Sequence, residues 1–538
     1  METTDTGLAS GRVGAASIAF AGVAATAPMV TLVTVVPAAL ADGAGPLVPW
    51  SFAVAGLALL LFCAGRAAMI RRFPSAGAAY SQVAHGLGRP GGVVAAWLAI
   101  AGYQAIQFGL YALAGLTAAP LLSSLGLTAP WWVVAAACWA IVALCGTMRI
   151  EVAAALIGLV TVAQAAVLAG VGAADVMQPA GGRVAADSIR ITGPALLDRP
   201  ALGLLLVVAA LAFAGLESSA GYAEEGFQPR RSAGFGGYWA VVLLTLLLGG
   251  LTWSMIVAAG PDRIAAAAAR GPELLFDLAA ERLAPWAVTL SRAMLLAGVL
   301  AAILALHAVI ARYLYALGRE RVLPGVLGRT RRRTAAPRAA SVTQSLIAGA
   351  ALAGAHAAGA APGLRTARWL IAGGSLGILL LLLLVSVAAL LRLNRVPGPE
   401  GAWSRFLAPV LSTVSLGTLA VLAFRDLPAL LALPAGYPLV RVIPAAFATC
   451  LVLAVAHALL LRRLRPVIYA GIGLAGTPVV VTPPAVSHAE PAVATIPRQR
   501  DPGAHRPERI DRDHQGEAAS REAEQSSTSV TQRSPGPG

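Results

Sequence analysis

One carboxylate in this chain stands apart by position. Glu217 lies within a long uncharged stretch, seven residues before Glu224, which at about 1.5 Å per helical residue places it roughly 10 Å inside. A carboxyl group that deep in an apolar phase needs a partner, a water-filled cavity or a proton. Its surroundings, Phe213-Ala214-Gly215-Leu216-Glu217-Ser218-Ser219-Ala220-Gly221, are rich in residues that tolerate non-helical backbone. A second weak point is Ala24-Ala25-Thr26-Ala27-Pro28-Met29, where Pro28 removes one amide donor and frees a carbonyl about four residues back. Freed amides at a half-helix attract a carboxylate, and freed carbonyls attract an ammonium group or a metal cation. The competing account of each segment is a proline kink beside a small-residue packing face. Interruptions at corresponding points of two repeats favour a solute-binding role.

Other polar residues inside apolar runs are few. Tyr103, Gln107 and Tyr111 share one helical face at i, i+4 and i+8. Such a stripe serves either as a binding wall or as interhelical hydrogen bonding. His307 is either a titrating group or a satisfied packing residue. Arg66 and Arg292 fall near span ends, where a long side chain can snorkel to the interface. Cys63, Cys138, Cys145 and Cys450 all sit in apolar runs without metal-ligand spacing. No Ser/His/Asp, metal or phosphate-loop constellation is present, so neither an enzyme nor a cofactor is expected.

The elements that must position these residues are membrane helices. Of 538 residues, 58% are hydrophobic and 12% charged, with a mean hydropathy of +0.75. Soluble domains carry about 25% charged residues. Twelve apolar spans are predicted at 15–41, 46–70, 91–119, 129–147, 152–173, 200–223, 236–260, 285–315, 339–361, 369–391, 406–424 and 442–461. Helix is forced in each, because lipid cannot satisfy an open backbone. Glu217 is the only acid within them. The first span is too long for a signal-peptide core and is expected to stay attached.

The net charge is +15, and every basic residue is Arg. These arginines occupy short loops between apolar runs, a pattern of membrane topology rather than of nucleic-acid binding. One set of loops, with both termini up to Arg465, holds 21 Arg, and the opposite set holds ten. The positive-inside rule therefore predicts a multi-pass protein of the cytoplasmic membrane with both termini in the cytoplasm. Residues 1–14 form a short cytoplasmic N-terminus and 15–465 the membrane domain. Residues 466–538 are polar, of mixed charge and punctuated by Pro, and are predicted to be a disordered cytoplasmic tail, solvated or serving as a docking segment.

Four segments then carry a resemblance. After the second span comes Arg72-Phe73-Pro74-Ser75-Ala76-Gly77-Ala78-Ala79-Tyr80, with Gly86-Leu87-Gly88-Arg89 and Gly92 entering the third. The sixth span carries Phe213-Ala214-Gly215-Leu216-Glu217, followed by Glu224-Glu225 and Gln228-Pro229-Arg230-Arg231. The eighth closes on Ala311-Arg312-Tyr313-Leu314-Tyr315-Ala316-Leu317-Gly318-Arg319-Glu320, then Leu323-Pro324 and Pro337. The tenth opens on Gly373-Gly374-Ser375-Leu376-Gly377. In this order and spacing, residues 12–465 resemble the amino acid–polyamine–organocation superfamily of permeases.

The resemblance implies an all-α integral membrane fold of two inverted five-helix repeats, helices 1–5 and 6–10, plus two accessory helices, with helices 1 and 6 broken. It implies a secondary transporter that moves an amino acid or related amine by alternating access. Carried over by position, Ala25, Thr26, Ala27 and Pro28 would offer backbone to the substrate, and Phe213 would close over it. Ala214, Gly215 and Leu216 would line the break in helix 6, and Tyr103, Gln107 and Tyr111 would stand on helix 3. Glu217 matches an acid that some relatives use in proton sensing, so protons join the small-molecule substrate and the bilayer as expected partners. The chain departs from the pattern in three respects. Ala-Thr-Ala-Pro replaces a Gly-rich break in helix 1. There is no Lys for the helix-5 position of some proton-coupled relatives. Leu295–Leu306 contains no Ser or Thr of the kind that serves sodium. Uncoupled exchange is the other transport scheme open to it. A sensor or scaffold on a transporter-like fold, signalling through the tail, is the alternative from a different class.

Overall fold

A computed structural model describes residues 7–475 apart from 9, 125, 191–200, 228–231, 331–334, 361–362 and 397. Residues 1–6, Arg199, Gln228-Pro229-Arg230-Arg231, Arg331–Arg333 and the tail beyond Ala475 therefore lie outside the described residues. One compact unit spans Met1–Val479; no residue of the second, Val480–Gly538, is among those described.

The described chain is helical, and its one β-contact is a bridge between Val13 and Gly226. In chain order the helices are α1 (Ala15–Ala25), α2 (Pro28–Val30), α3 (Val36–Ala41), α4 (Leu47–Arg72), α5 (Ala79–Leu87), α6 (Arg89–Ser124), α7 (Trp131–Cys145), α8 (Ile150–Met177) and α9 (Ala201–Leu211). They continue with α10 (Ser232–Ala259), α11 (Ile264–Ala268), α12 (Leu274–Arg282), α13 (Pro285–Arg319), α14 (Arg338–Ala357) and α15 (Leu364–Arg395). The last are α16 (Ala408–Arg425), α17 (Leu427–Leu430), α18 (Pro438–Leu464) and α19 (Pro466–Gly471).

Helices fall on all twelve predicted spans, and ten segments are long and apolar enough to cross a membrane. The other two positions belong to α7 and α14. The 15 residues of α7 fall short of the roughly 20 a bilayer core needs. In α14 the apolar character is diluted by Arg338, Ser341, Gln344, Ser345 and His356. The predicted tail starts at 466, yet its first ten residues are ordered, beginning with α19. Their order comes from a docking contact described below.

Both predicted weak points are breaks. Helix α1 ends at Ala25, and Ala27 stands in the left-handed region at φ 50° before Pro28 starts α2. A wider π-helical turn, Thr31–Val35, then leads into α3, whose Pro37 cannot donate to the turn before it. Helix α9 ends at Leu211. Gly215 at φ 110° opens a 3₁₀ segment, Leu216–Tyr222. The two breaks touch. A Cβ on Gly215 would lie 2.6 Å from the Ala25 carbonyl oxygen, so only glycine allows this approach.

The long helix α13 is buried from Leu295 nearly to its end and packs against α1, α6 and α8. Helices α6 and α15 cross closely, because Gly374 meets the Gly102 carbonyl where a Cβ would fall at 2.5 Å. The outer faces are apolar. Val152, Leu156, Leu159 and Val162 on α8, with Leu451, Val452 and Leu453 on α18, are all exposed. Such faces suit acyl chains and would be anomalous in water.

Candidate functional site

A cavity of about 470 Å³ begins at the two breaks and runs toward one end of the bundle. Ala25, Thr26, Ala27 and Ala214 form its floor. Its walls come from Thr31 and Thr34 of the π-helical turn, Ile106, Leu110 and Leu113 of α6, Leu205 and Val208 of α9, and Ile371 and Ser375 of α15. The mouth carries Asp42, which is exposed, and Arg368. Apart from these two charges the lining is apolar, with hydroxyls at Thr26, Thr31, Thr34 and Ser375. The Thr26 hydroxyl donates to the Val23 carbonyl at 2.7 Å and so caps the end of α1.

The opposite end, which holds Val13, α5 and α19, is closed by ion pairs. Arg319 donates two hydrogen bonds to Glu224, at 2.7 and 2.9 Å, and Glu224 also accepts from the Ala76 amide at 2.8 Å. Arg312 donates to Glu225 at 2.7 Å and lies 4.1 Å over the Tyr222 ring. Burial pushes the Glu225 carboxyl above the usual range, and the Arg312 guanidinium pulls it back down. The Glu225 carbonyl accepts the amides of Arg12 and Val13, which brings the start of the chain into the closure. Tyr80 donates to Glu320, whose two oxygens also accept the Gly473 and Ala475 amides at 2.8 Å each. Burial raises the Glu320 carboxyl, opposed by Tyr80 and those two amides. This contact orders the residues that follow α18.

Glu217 is buried just behind the cavity floor. Its Oε1 accepts the Tyr103 hydroxyl at 2.6 Å, and its Oε2 accepts the Gly215 amide at 3.1 Å. Arg66 donates to the Glu217 carbonyl and reaches the Ser219 hydroxyl at 3.5 Å. Arg66 is therefore buried against the break in the sixth span rather than snorkelling, because that break exposes a carbonyl it can neutralise. Arg292 pairs with Glu273 at 2.5 Å.

The arrangement is that of a polytopic membrane protein with a solute-sized cavity reaching its centre from one end. An amino acid permease family model matches residues 11–456, and the chain belongs to that family. It is a transporter rather than an enzyme. No curated protein matches the chain.

Of the predicted site residues, Ala25, Thr26, Ala27 and Ala214 line the cavity. Pro28, Phe213, Gly215, Leu216 and Glu217 are buried around it without lining it. The polar stripe of α6 faces other helices. Besides the Tyr103 contact, Gln107 donates to the Ile303 carbonyl at 3.1 Å and accepts from Gln344 at 2.7 Å, while the buried Tyr111 hydroxyl has no hydrogen-bond partner among the described residues. The cavity wall on α6 is instead Ile106, Leu110 and Leu113, one helical face away. His307 Nε2 lies 2.9 Å from the Ser341 hydroxyl, which donates to the Gly146 carbonyl at 2.8 Å, so it is a satisfied packing residue. Sequence reasoning assigned Arg66 to snorkelling and gave Arg312 no role of its own; the signal for both was a cation inside an apolar run. It also missed Arg368, Ser375 and the threonine pair of the π-helical turn.

Proposed function

We propose that this permease is a secondary transporter that carries a neutral amino acid or related amine across the cytoplasmic membrane by alternating access. The carrying observation is that the cavity runs from the two helix breaks to one end, while ion pairs close the other. In this reading the fold is twelve spans, helices 1–5 and 6–10 forming inverted repeats with two accessory helices. Both termini are cytoplasmic, so the structure is in its outward-open state. The substrate's charged groups meet backbone at Ala25–Pro28 and Ala214–Leu216. The Ile106, Leu110, Leu205 and Val208 walls take its side chain, and a cavity with no acid at its floor disfavours a polyamine. Phe213 stands next in the chain to the floor residue Ala214 and closes over the bound substrate. Tyr103, Gln107 and Tyr111 act from behind the wall.

Glu217 carries the coupling proton. Its Oε2 is committed to the Gly215 amide, so a proton must go to Oε1. That converts Oε1 from an acceptor of the Tyr103 hydroxyl into a donor and rewrites the contact between the third span and the broken sixth. Substrate binding at Ala214–Gly215 thereby senses the proton. The test is uptake into proteoliposomes of a panel of radiolabelled amino acids and amines, with and without proton and sodium gradients, for the natural protein and Glu217→Gln. The variant is expected to insert normally and transport with a flattened pH profile. An unaltered profile refutes the role of Glu217 and leaves exchange.

A further inference from the structure

We propose that a groove between the C-terminal end of α13 and α18 binds an anionic phospholipid, its phosphate held by Arg321, Arg329 and Arg465. The proposal rests on the reading of this chain as a membrane permease, because it needs the groove to meet a bilayer surface. The groove has a volume of about 820 Å³, ample for a headgroup and the first carbons of an acyl chain. One wall is the end of α13 and the turn after it, from Gly318 to Arg329, and the other is the last two turns of α18, from His457, with Arg465 following them.

Charge identifies the occupant. Among the described residues, no acid lines the groove. Arg319, also in the lining, is already neutralised by Glu224. Arg321, Arg329 and Arg465 are exposed and make no ion pair among the described residues. Three unneutralised guanidiniums facing one space repel each other, and a phosphate offers several anionic oxygens that their planar forks can bind together. Arg321 is also held at φ 60°, a backbone conformation that costs a non-glycine residue energy and recurs at ligand sites.

The rim identifies a lipid rather than a free anion. Leu460 and Leu464 line the groove and are exposed, at 54% and 70%. They continue the apolar face that α18 presents through Leu451, Val452 and Leu453. An acyl chain would therefore run along α18 while its phosphate sits among the arginines. His457 adds a polar contact at the boundary. Its Nδ1 accepts from the Trp97 indole at 3.3 Å, which leaves the neutral ring's proton on Nε2. The groove also joins two parts that the closed end must hold together, because Arg321 follows Glu320, the acceptor of the segment after α19.

The test measures retention of radiolabelled phosphatidylglycerol by the purified full-length protein after detergent washing. Phosphatidylcholine serves as the zwitterionic control and glycerol phosphate as the soluble competitor. The natural protein should retain phosphatidylglycerol selectively, with no displacement by glycerol phosphate. Retention should fall about fivefold for each arginine replaced by Gln, toward the phosphatidylcholine level in the triple variant. The triple Lys variant, which keeps the charge, should retain the lipid and reports on folding. Undiminished retention in the triple Gln variant, equal retention of phosphatidylcholine, or displacement by glycerol phosphate overturns the proposal. The measurement involves no transport, so its failure leaves the functional reading standing, and failed uptake leaves this site standing.

Discussion

The pair that closes one end of the cavity gives a quantitative handle on the two-state behaviour. Glu224→Gln replaces a carboxylate that accepts two hydrogen bonds from Arg319 and one from the Ala76 amide. A glutamine oxygen in the Oε1 place keeps the Ala76 amide and one Arg319 bond, both made to that oxygen, but its NH₂ in the Oε2 place faces the guanidinium. One charge-assisted bond is lost and the other loses its anionic partner, together worth about 3 kcal/mol at the low end. The low end applies because the pair is partly hydrated, with 10% and 18% of the two side chains exposed. If the pair exists only while this end is closed, the closed state loses about 3 kcal/mol. The ratio of closed to open then falls roughly 10²-fold. A single cysteine at Ser218, buried between Glu217 and the gate, reports opening at this end by its rate of modification with a charged thiol reagent. Thr31→Cys, in the cavity wall, reports the other end. Both require a background in which Cys63, Cys138, Cys145 and Cys450 are replaced. Glu224→Gln should raise labelling at position 218 about 100-fold and lower it at position 31. Adding Arg319→Gln should recover much of the effect, because the orphaned cation is then gone. Unchanged labelling at both reporters would refute the gate.

Gly215→Ala should be more damaging than Gly298→Ala, although the new methyl lies nearer a neighbour in the second case. At Gly215 the obstacle is the Ala25 backbone carbonyl at 2.6 Å, and φ is 110°; at Gly298 it is the tip of the Gln164 side chain at 2.0 Å, which can rotate away. Melting temperatures in detergent should rank the two variants in that order, and the reverse ranking would mean that the breaks do not touch as described. Glu320→Ala should release the segment after α19, with amide hydrogen exchange at Gly473 and Ala475 accelerating by about tenfold or more. Burial raises the Glu320 carboxyl, so the docked state binds its proton more tightly than a hydrated, undocked one. Docking is then strongest below the ordinary carboxylate range and weakens as pH rises through the raised value. After correction for intrinsic rates, exchange at those amides should increase with pH in the natural protein and be insensitive to it in the variant.

Both breaks were legible because each departs from helix chemistry locally. Pro28 removes a donor, and Gly215 supplies the one side chain that fits beneath the Ala25 carbonyl. Ala27 adopts φ 50° with no residue-type signal of its own, because alanine carries no preference for the left-handed region. The ordered start of the tail was not legible either. Residues 466–475 are apolar but number only ten, too few to mark an element by themselves. What orders them is Glu320, about 150 positions earlier, whose two oxygens accept two of their amides.

The site shows why a correct face can still be assigned the wrong neighbour. Spacing places Tyr103, Gln107 and Tyr111 on one side of α6, and they do share it. Periodicity carries no information about what stands opposite. In the structure that side meets Glu217, Ile303 and Gln344, while the adjacent apolar side meets the cavity. In a membrane protein the lipid-facing, core and cavity positions all draw on Leu, Val, Ile and Ala, so an apolar binding wall leaves no compositional trace. The polar residues instead mark where the helices must be tied. Arg66 and Arg312 follow the same rule. Each lies inside an apolar run, and each neutralises a group exposed by or next to the broken sixth span, the Glu217 carbonyl and the Glu225 carboxylate. The break therefore requires both cations. An intramembrane arginine is better read as evidence of non-helical backbone or a buried acid nearby than as a residue reaching for the interface.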